Sequence, residues 1–423
     1  MAHTQAGSRG PRRVPFSKTV LAYVYLFLSV LLLSNTIGVV APRRYGQTLG
    51  MLGAVPFIVL MMGTPHILLL GFGLTAWVAL VGALHTLPGQ LGLALHVIAW
   101  ILLIRHLIAM QTACPIVDGH PVADTGPVFP EESHASKVAI SYLPYLRYRT
   151  PAMSDVMVER SVIYREVSGR RLRVDIYRPR QSPAPPGVPL QSIIYIHGGG
   201  WVIGTRQQSR FMMFELAAAG YTVFAIQYRL APRFPLPAAI EDAKAAVAWV
   251  REHGGEYGGT PDAVVVGGSA GAHLASMVAL SPGEKAFQPG FESADTSVRA
   301  AILLYGFYDL IGRLESQKSV MRWHWFFERV IFSESYKKHP QMFQRAQPFS
   351  HVSPQAPPTL FIHGQNDSLV PITDSQRLHH ELKGVGARTH LCEVPLAQHA
   401  FEIVPSPLHQ RTLRVMLHFL RTI

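Results

Sequence analysis

The stretch Ala263-Val264-Val265-Val266-Gly267-Gly268-Ser269-Ala270-Gly271-Ala272-His273-Leu274-Ala275-Ser276-Met277 decides how this chain is read. Consecutive valines enter it, which favours a buried strand, and an Ala- and Leu-rich segment of high helical propensity leaves it. Between them stands G-x-S-x-G. Alone that pattern is weak, because short glycine-serine patterns arise by chance. Set between a strand and a helix, it predicts a sharp turn that lifts the Ser269 hydroxyl above the end of a sheet, with Gly267 and Gly271 letting the two arms of the turn pass closely. A phosphate-binding loop is the competing reading, and the Lys-Ser/Thr ending that such a loop needs is missing here.

Working upstream, the predicted strand Ser192–His197 runs into His197-Gly198-Gly199-Gly200-Trp201. Glycines in a row let main-chain N–H groups close on an oxygen with no Cβ in the way, which is what stabilising a developing oxyanion requires. Each such donor is typically worth about 100- to 1000-fold in rate. A hydroxyl nucleophile also needs a base, and the base an orienting acid. Downstream, the predicted strand Thr359–His363 is followed by Gly364-Gln365-Asn366-Asp367, and Thr389–Val394 by Pro395-Leu396-Ala397-Gln398-His399. Asp367 and His399 thus both stand in loops after strands. Of the 20 histidines, His363 falls on a strand and His379 and His380 on a helix, whereas His399 has the post-strand position. Asp309, after the predicted strand Ala300–Tyr305, is a competing acid, and an Asx-turn cap is the plain alternative for Asp367.

Around these motifs the pattern alternates. Further strands are predicted at Val156–Glu166, Leu172–Tyr177, Thr222–Gln227 and Ala263–Gly267, and helices at Arg210–Ala219, Ala238–Glu252, Ala270–Leu280, Asp374–Lys383 and Pro407–Leu420. Such alternation implies an α/β fold with a mostly parallel sheet, helices on both faces and ligands at the carboxyl ends of the strands. Gln181–Pro189 reads as a surface loop. The segment near 309–350, with Arg322, Trp323, Trp325, Phe326, Phe327, Arg329, Lys337 and Lys338, is too long for a simple loop. It is either a cap that forms a pocket or touches lipid, or a helix packing its aromatic side on the sheet.

The first 117 residues differ in kind. The chain carries 38 Lys and Arg against 26 Asp and Glu, a formal charge of +12. No acidic residue precedes Asp118, so residues 1–117 carry +7 (Arg9, Arg12, Arg13, Lys18, Arg43, Arg44 and Arg105), and the remainder, 31 minus 26, carries +5. Nucleic-acid binding predicts a clustered basic stripe with interleaved aromatics, which the C-terminal part lacks. Tyr45–Ile104 contains no Asp, Glu, Lys or Arg. A water-facing helix needs a polar face, so this run belongs in a bilayer. Val20–Val40 and Leu91–Met110, the latter after a predicted turn Thr86-Leu87-Pro88-Gly89, have spanning length. Val20–Val40 is longer than a usual signal-peptide core and reads as an uncleaved span. Between them, a turn at Gly63-Thr64-Pro65-His66 would separate a short span near Thr48–Met62 from another near Ile67–Leu84. Four basic residues ahead of the first span place the N-terminus inside, and the charge rule leans to four spans over three, hence to a cytoplasmic C-terminal domain. His66, His85 and His96 read as buried or interfacial histidines rather than a proton or metal path.

Taken together, HGGGW at His197, YRLAP at Tyr228–Pro232, GGSAGAHLA at Gly267–Ala275, HGQND at His363 and QHAF at Gln398 resemble the hormone-sensitive-lipase type of α/β-hydrolase. With the N-terminal region, the likeness is to membrane-associated carboxylesterases of mycobacteria and related actinobacteria. The resemblance implies a hydrolase fold over residues 152–423, with Ser269 as nucleophile, His399 as base and Asp367 as orienting acid. It further implies the amides of Gly199, Gly200 and Ala270 as oxyanion hole, with His197, Gly198, Gly267 and Gly271 supporting the motifs. The activity implied is hydrolysis of carboxylic, lipid-like esters at a membrane. An arylformamidase-like amidase, an isoprenylcysteine methylesterase-like enzyme and an acyltransferase are the alternatives on the same residues, and a non-catalytic binding module a further one. This sequence departs from the family by having Gly268 before the serine and Ala272 after the elbow. Expected organisation is a membrane region at 1–112 with three or four spans, a connector at 113–151, and a catalytic domain at 152–423 with the cap-like insertion near 309–350. Cys114 and Cys392 are too few for a disulfide framework. No cofactor, metal site or nucleic-acid partner is expected, and the expected partners are an ester or lipid substrate and membrane lipid.

Overall fold

In the computed structural model of the chain, residues 17–40, 63–122, 146–147, 149–312 and 324–423 are described. The N-terminal part contains three helices long and apolar enough to cross a membrane: α1 (Lys18–Val40), α2 (Gly63–Leu80) and α3 (Leu87–Thr112). At 1.5 Å per residue the shortest reaches roughly 27 Å and the longest roughly 39 Å, against a hydrocarbon core of about 30 Å. Of the two segments predicted as turns, Gly63–His66 is helical and Thr86–Gly89 opens a helix. Thr86 caps α3 by accepting a hydrogen bond from the Gly89 N–H at 3.2 Å, and Pro88 sits in the first turn, where its missing donor costs nothing. Pro65 likewise lies in the first described turn of α2. The predicted span Thr48–Met62 lies outside the described residues, as do Arg43 and Arg44.

Contacts fix the helix directions. The Tyr25 and Thr75 hydroxyls are 2.8 Å apart near the start of α1 and the end of α2, while Val39, at the end of α1, packs with Leu68 and Leu103. Ser29 Oγ and His96 Nδ1, near the middle, are 2.6 Å apart, and His96 stacks on Tyr25. So α1 and α3 run parallel, and α2 runs antiparallel to both. His66 Nε2 is 3.0 Å from the Leu146 carbonyl, and His85 lies in the short turn between α2 and α3.

The remainder builds a ten-stranded sheet in the order β2-β1-β10-β9-β8-β7-β5-β6-β4-β3. Its strands are β1 (Ile116–Val117), β2 (His120–Pro121), β3 (Val156–Val167), β4 (Arg170–Pro179), β5 (Leu190–Ile196), β6 (Thr222–Ile226), β7 (Gly259–Gly268), β8 (Ala300–Leu304), β9 (Thr359–Gly364) and β10 (Thr389–Val394). Strands β5 to β10 are parallel, and the β3–β4 hairpin joins antiparallel through β4 to β6. Period-two alternation feeds two cores, as a sheet covered on both faces demands. Ile194, Val265, Leu303 and Phe361 face one, with α5 (Ala238–His253), α6 (Ala270–Leu280) and α7 (Thr373–Gly384) packed over it. Ile193, Val264, Ile302 and Leu360 face the other, with α4 (Arg210–Ala218) and α8 (Pro407–Arg421).

The stretch after α3, expected as a spacer, does more. Ile116 and Val117 pair antiparallel with Glu393 and Cys392, and β2 folds back on β1, so the chain leaving α3 extends the sheet at β10. Asp118 in the turn locks the join, accepting hydrogen bonds from Leu391 N at 2.9 Å and His390 Nδ1 at 2.7 Å. Two-residue strands are too short to show a period, which is why the pattern was silent there. Tyr142, Tyr145 and Tyr148 of the connector lie outside the described residues, as do Arg322 and Trp323.

Candidate active site

Ser269 lies between the end of β7 and the first residue of α6, in a backbone conformation (φ 57°, ψ −120°) that few non-glycine residues adopt. Holding it there costs of order 1–3 kcal/mol, which the packed surroundings must offset. The two motif glycines are what make the turn sterically possible. A Cβ on Gly271 would lie 2.1 Å from the Ile196 carbonyl oxygen, and one on Gly267 would lie 2.1 Å from that of Gly271. Helix α6 is buried along its whole length.

Above this turn three side chains align. Ser269 Oγ donates to His399 Nε2 at 2.9 Å, and His399 Nδ1 donates to Asp367 Oδ2 at 2.8 Å. Asp367 is fully buried, with its other oxygen accepting from Leu369 N at 2.9 Å and Val370 N at 2.8 Å. The Asx-turn and the contact to His399 are therefore both present, one on each carboxylate oxygen. A second imidazole, His363, brings its Nε2 within 3.2 Å of Oδ2 and 3.0 Å of the Val370 carbonyl, and its Nδ1 is 2.8 Å from Ser375 Oγ. Burial opposes ionisation of Asp367. The His399 charge and the hydrogen bonds from His363 and His399 outweigh it and hold the carboxyl well below the usual carboxylate range. Asp309, the competing acid, instead has its N–H directed to Asp374 Oδ2 at 3.4 Å.

The glycine loop closes the other side. Gly199 and Gly200 have φ of 118° and 59°, and a Cβ on Gly199 would meet the Ile203 carbonyl oxygen at 2.0 Å. Among the described residues no acceptor takes the Gly199 or Gly200 N–H, and Ala270 N–H opens α6, where the first amides have no intrahelical partner. His197 supports the loop from below. Its Nδ1 donates to the Gly198 carbonyl at 2.8 Å, and its ring stacks on Tyr228, whose hydroxyl donates to the His197 carbonyl at 2.9 Å. Burial pulls this imidazole down to about 4, so it stays neutral at neutral pH. Trp201 ties the loop to α6 through its indole N–H to His273 Nδ1 at 3.3 Å.

Sequence reasoning missed two residues here. Tyr305, just after β8, sets its ring edge-on to His399 at 4.7 Å and donates its hydroxyl to the buried Glu402, which also accepts from Ser209 Oγ at 3.2 Å. Burial raises the Glu402 carboxyl above its ordinary value, against the hydrogen bonds it receives. This pair accounts for Gly268: a Cβ there would lie 2.9 Å from the Tyr305 hydroxyl. Only the position of Tyr305 at the carboxyl end of its predicted strand could have hinted at it.

The three aligned residues open on a largely apolar cavity of about 360 Å³, lined by Gly199, Gly200, Trp201, Ile203, Phe307, Phe326, Phe327 and Leu369. That size falls within the ~300–1,000 Å³ of small-molecule sites. Phe326 and Phe327 come from the cap-like segment, where Phe327–Ile331 forms a π-helical turn, so that segment contributes to the pocket wall. Trp325 is 68% exposed. Among the described residues no cluster of side chains has the make-up of a metal site.

The BD-FAE family model matches residues 174–382. Esterase LipQ of Mycobacterium tuberculosis is 38% identical over 258 residues, covering 60% of each chain. The probable carboxylic ester hydrolase LipM of the same organism is 38% identical over 60% of this chain and 58% of its own. A probable isoprenylcysteine alpha-carbonyl methylesterase of Arabidopsis thaliana is 26% identical over 55% of this chain and 48% of its own. The chain thus spans about 60% of the length of the mycobacterial relatives it matches. Among solved structures, a thermophilic esterase of Thermogutta terrifontis with butyrate bound superposes with a TM-score of 0.54 at 26% identity, over 64% of this chain and 95% of the other. The same esterase phosphonylated by sarin gives a TM-score of 0.55 over 63% and 94%. The α/β region of this chain has the α/β-hydrolase fold and is similar to esterases of the hormone-sensitive-lipase type.

Proposed function

We propose that this protein is a membrane-anchored serine carboxylesterase acting on lipid-like esters. The observation that carries this reading is the Ser269–His399–Asp367 alignment, at 2.9 and 2.8 Å, beside unpartnered glycine amides at an apolar cavity. Ser269 Oγ attacks the ester carbonyl carbon as its proton passes to His399 Nε2. The carbonyl oxygen becomes an oxyanion facing the amides of Gly199, Gly200 and Ala270. The imidazolium is held by Asp367 and returns the proton to the departing alkoxide as the acyl-enzyme forms. Water, deprotonated by the same imidazole, adds to the acyl carbon, and Ser269 leaves reprotonated. The methylesterase relatives support a second reading, hydrolysis of a small alkyl ester on an isoprenylated cysteine, by the same steps.

A chain-length series of p-nitrophenyl esters separates the readings, with a methyl ester of a prenylated cysteine and an aryl formamide as comparators. Because Phe326 lines the cavity, Phe326→Ser is expected to lower turnover of eight- to twelve-carbon esters by about tenfold or more, about 2 kcal/mol of apolar contact, while sparing acetate. Equal loss on both would remove Phe326 from the acyl site. Preference for the formamide would point to an amidase.

The helix directions bear on sidedness. With α1 and α3 parallel, the N-terminus and the α/β domain fall on opposite faces, so a cytoplasmic basic N-terminus puts the catalytic domain outside, opposite to the side favoured by charge counting over four spans. Protease added to intact spheroplasts is expected to degrade the α/β domain. Protection until the cells are lysed would place it inside.

A further inference from the structure

The membrane helices meet the hydrolase at one particular end. The chain leaving α3 enters the sheet with Ile116 opposite Glu393, the penultimate residue of β10, and then runs back along that strand. It therefore joins at the carboxyl end of β10, the end whose next loop carries His399. Arg411, in the second turn of α8, reinforces the join by donating Nη1 to the Met110 carbonyl at 2.7 Å and Nη2 to that of Gln111. These are terminal carbonyls of α3, which the helix itself leaves unsatisfied and which attract a cation. Met110 and Ala113 are buried in the same cluster as Phe401 and Leu408, and Phe401 is two residues from His399. The bundle thus emerges from the face of the domain on which the catalytic cavity opens, not from the opposite end of the strands.

That face has an apolar rim. Ile203 at the cavity mouth and Trp325, next to the cavity-lining Phe326, are each 68% exposed. Large apolar side chains bared around a site call for a partner, and an indole is the side chain most at home between headgroups and acyl chains. Continuity with α1–α3 identifies that partner as the bilayer holding them.

We propose that the catalytic mouth faces the surface of the bilayer spanned by α1–α3, with Ile203 and Trp325 seated among the headgroups, so that an ester lipid passes from the leaflet into the cavity without crossing water. This rests on the esterase reading for the substrate but not for the docking. The full-length protein, reconstituted in phosphatidylcholine vesicles, tests both. Tryptophan fluorescence of wild type minus that of Trp325→Phe isolates one of six indoles. In vesicles of lipid brominated near the headgroup end of its acyl chains, that difference is expected to fall by about half, as for an indole at the interface. Trp325→Ser should also slow hydrolysis of a long-chain diacylglycerol dispersed in the same bilayer by about tenfold, leaving p-nitrophenyl acetate within about twofold. A difference signal equal in brominated and plain lipid, or matched effects on the two esters, would overturn the proposal. Absence of any Ser269-dependent hydrolysis would instead contradict the esterase reading, with the quenching still deciding where the rim lies.

Discussion

Replacing Ser269 with Ala is expected to lower p-nitrophenyl butyrate hydrolysis by about 10⁴-fold or more, with KM little changed. The size of the loss follows from the geometry. Among the described residues Ser269 Oγ is the one hydroxyl bonded to His399 Nε2, and without it only the amides and the cavity remain to stabilise attack by water. Alanine fits the same positive-φ turn about as well as serine, since both carry a Cβ, so the folded domain should persist. Unchanged thermal unfolding beside lost activity is the expected pair of results. A variant retaining a tenth or more of the activity would mean that another group attacks the ester.

The second large effect is expected at Asp367. Asp367→Asn should lower kcat by about 10³- to 10⁴-fold, because an amide can present its NH₂ to His399 Nδ1 and favour the tautomer whose Nε2 already carries a proton. That ring cannot take the serine proton. The substitution also touches His363, which shares Oδ2 with His399, so a loss of stability of about 1–3 kcal/mol should accompany it, unlike in Ser269→Ala. Since the Asp367 carboxyl is held well below the usual carboxylate range, it stays ionised throughout mild acid. The fall of wild-type kcat/KM on acidification then does not report protonation of this carboxylate. A variant with near wild-type kcat would show that His399 needs no orienting charge.

Much of this site could be read from the chain because each of its three side chains stands just beyond the end of a strand. Parallel strands bring their carboxyl ends together, so post-strand position alone predicted that Ser269, Asp367 and His399 would meet, and it separated His399 from His363, His379 and His380. The choice of Asp367 over Asp309 did not follow from position, since both stand after strands, and it is the structure that joins Asp367 to His399. Tyr305 and Glu402 were hidden because their meeting depends on the packing of two loops that no local pattern encodes. The glycine before the serine, which looked like a departure from the family, is the local trace of that pair.

In the N-terminal helices the difficulty was different. Gly and Pro mark turns and also first turns of helices, so Gly63–His66, which is helical, and Thr86–Gly89, which opens a helix, were read as breaks. Charge counting gave a sidedness only after a span number was assumed. Direction had to come from contacts such as Tyr25 with Thr75 and Val39 with Leu103, which depend on tertiary packing.

Fluorophosphonate labelling of the reconstituted full-length protein, followed by peptide mass spectrometry, tests the central claim most directly. A single adduct on Ser269, absent from Ser269→Ala and formed far more slowly in Asp367→Asn, is the predicted result. No adduct on the wild type, or labelling that persists in Ser269→Ala, would contradict it.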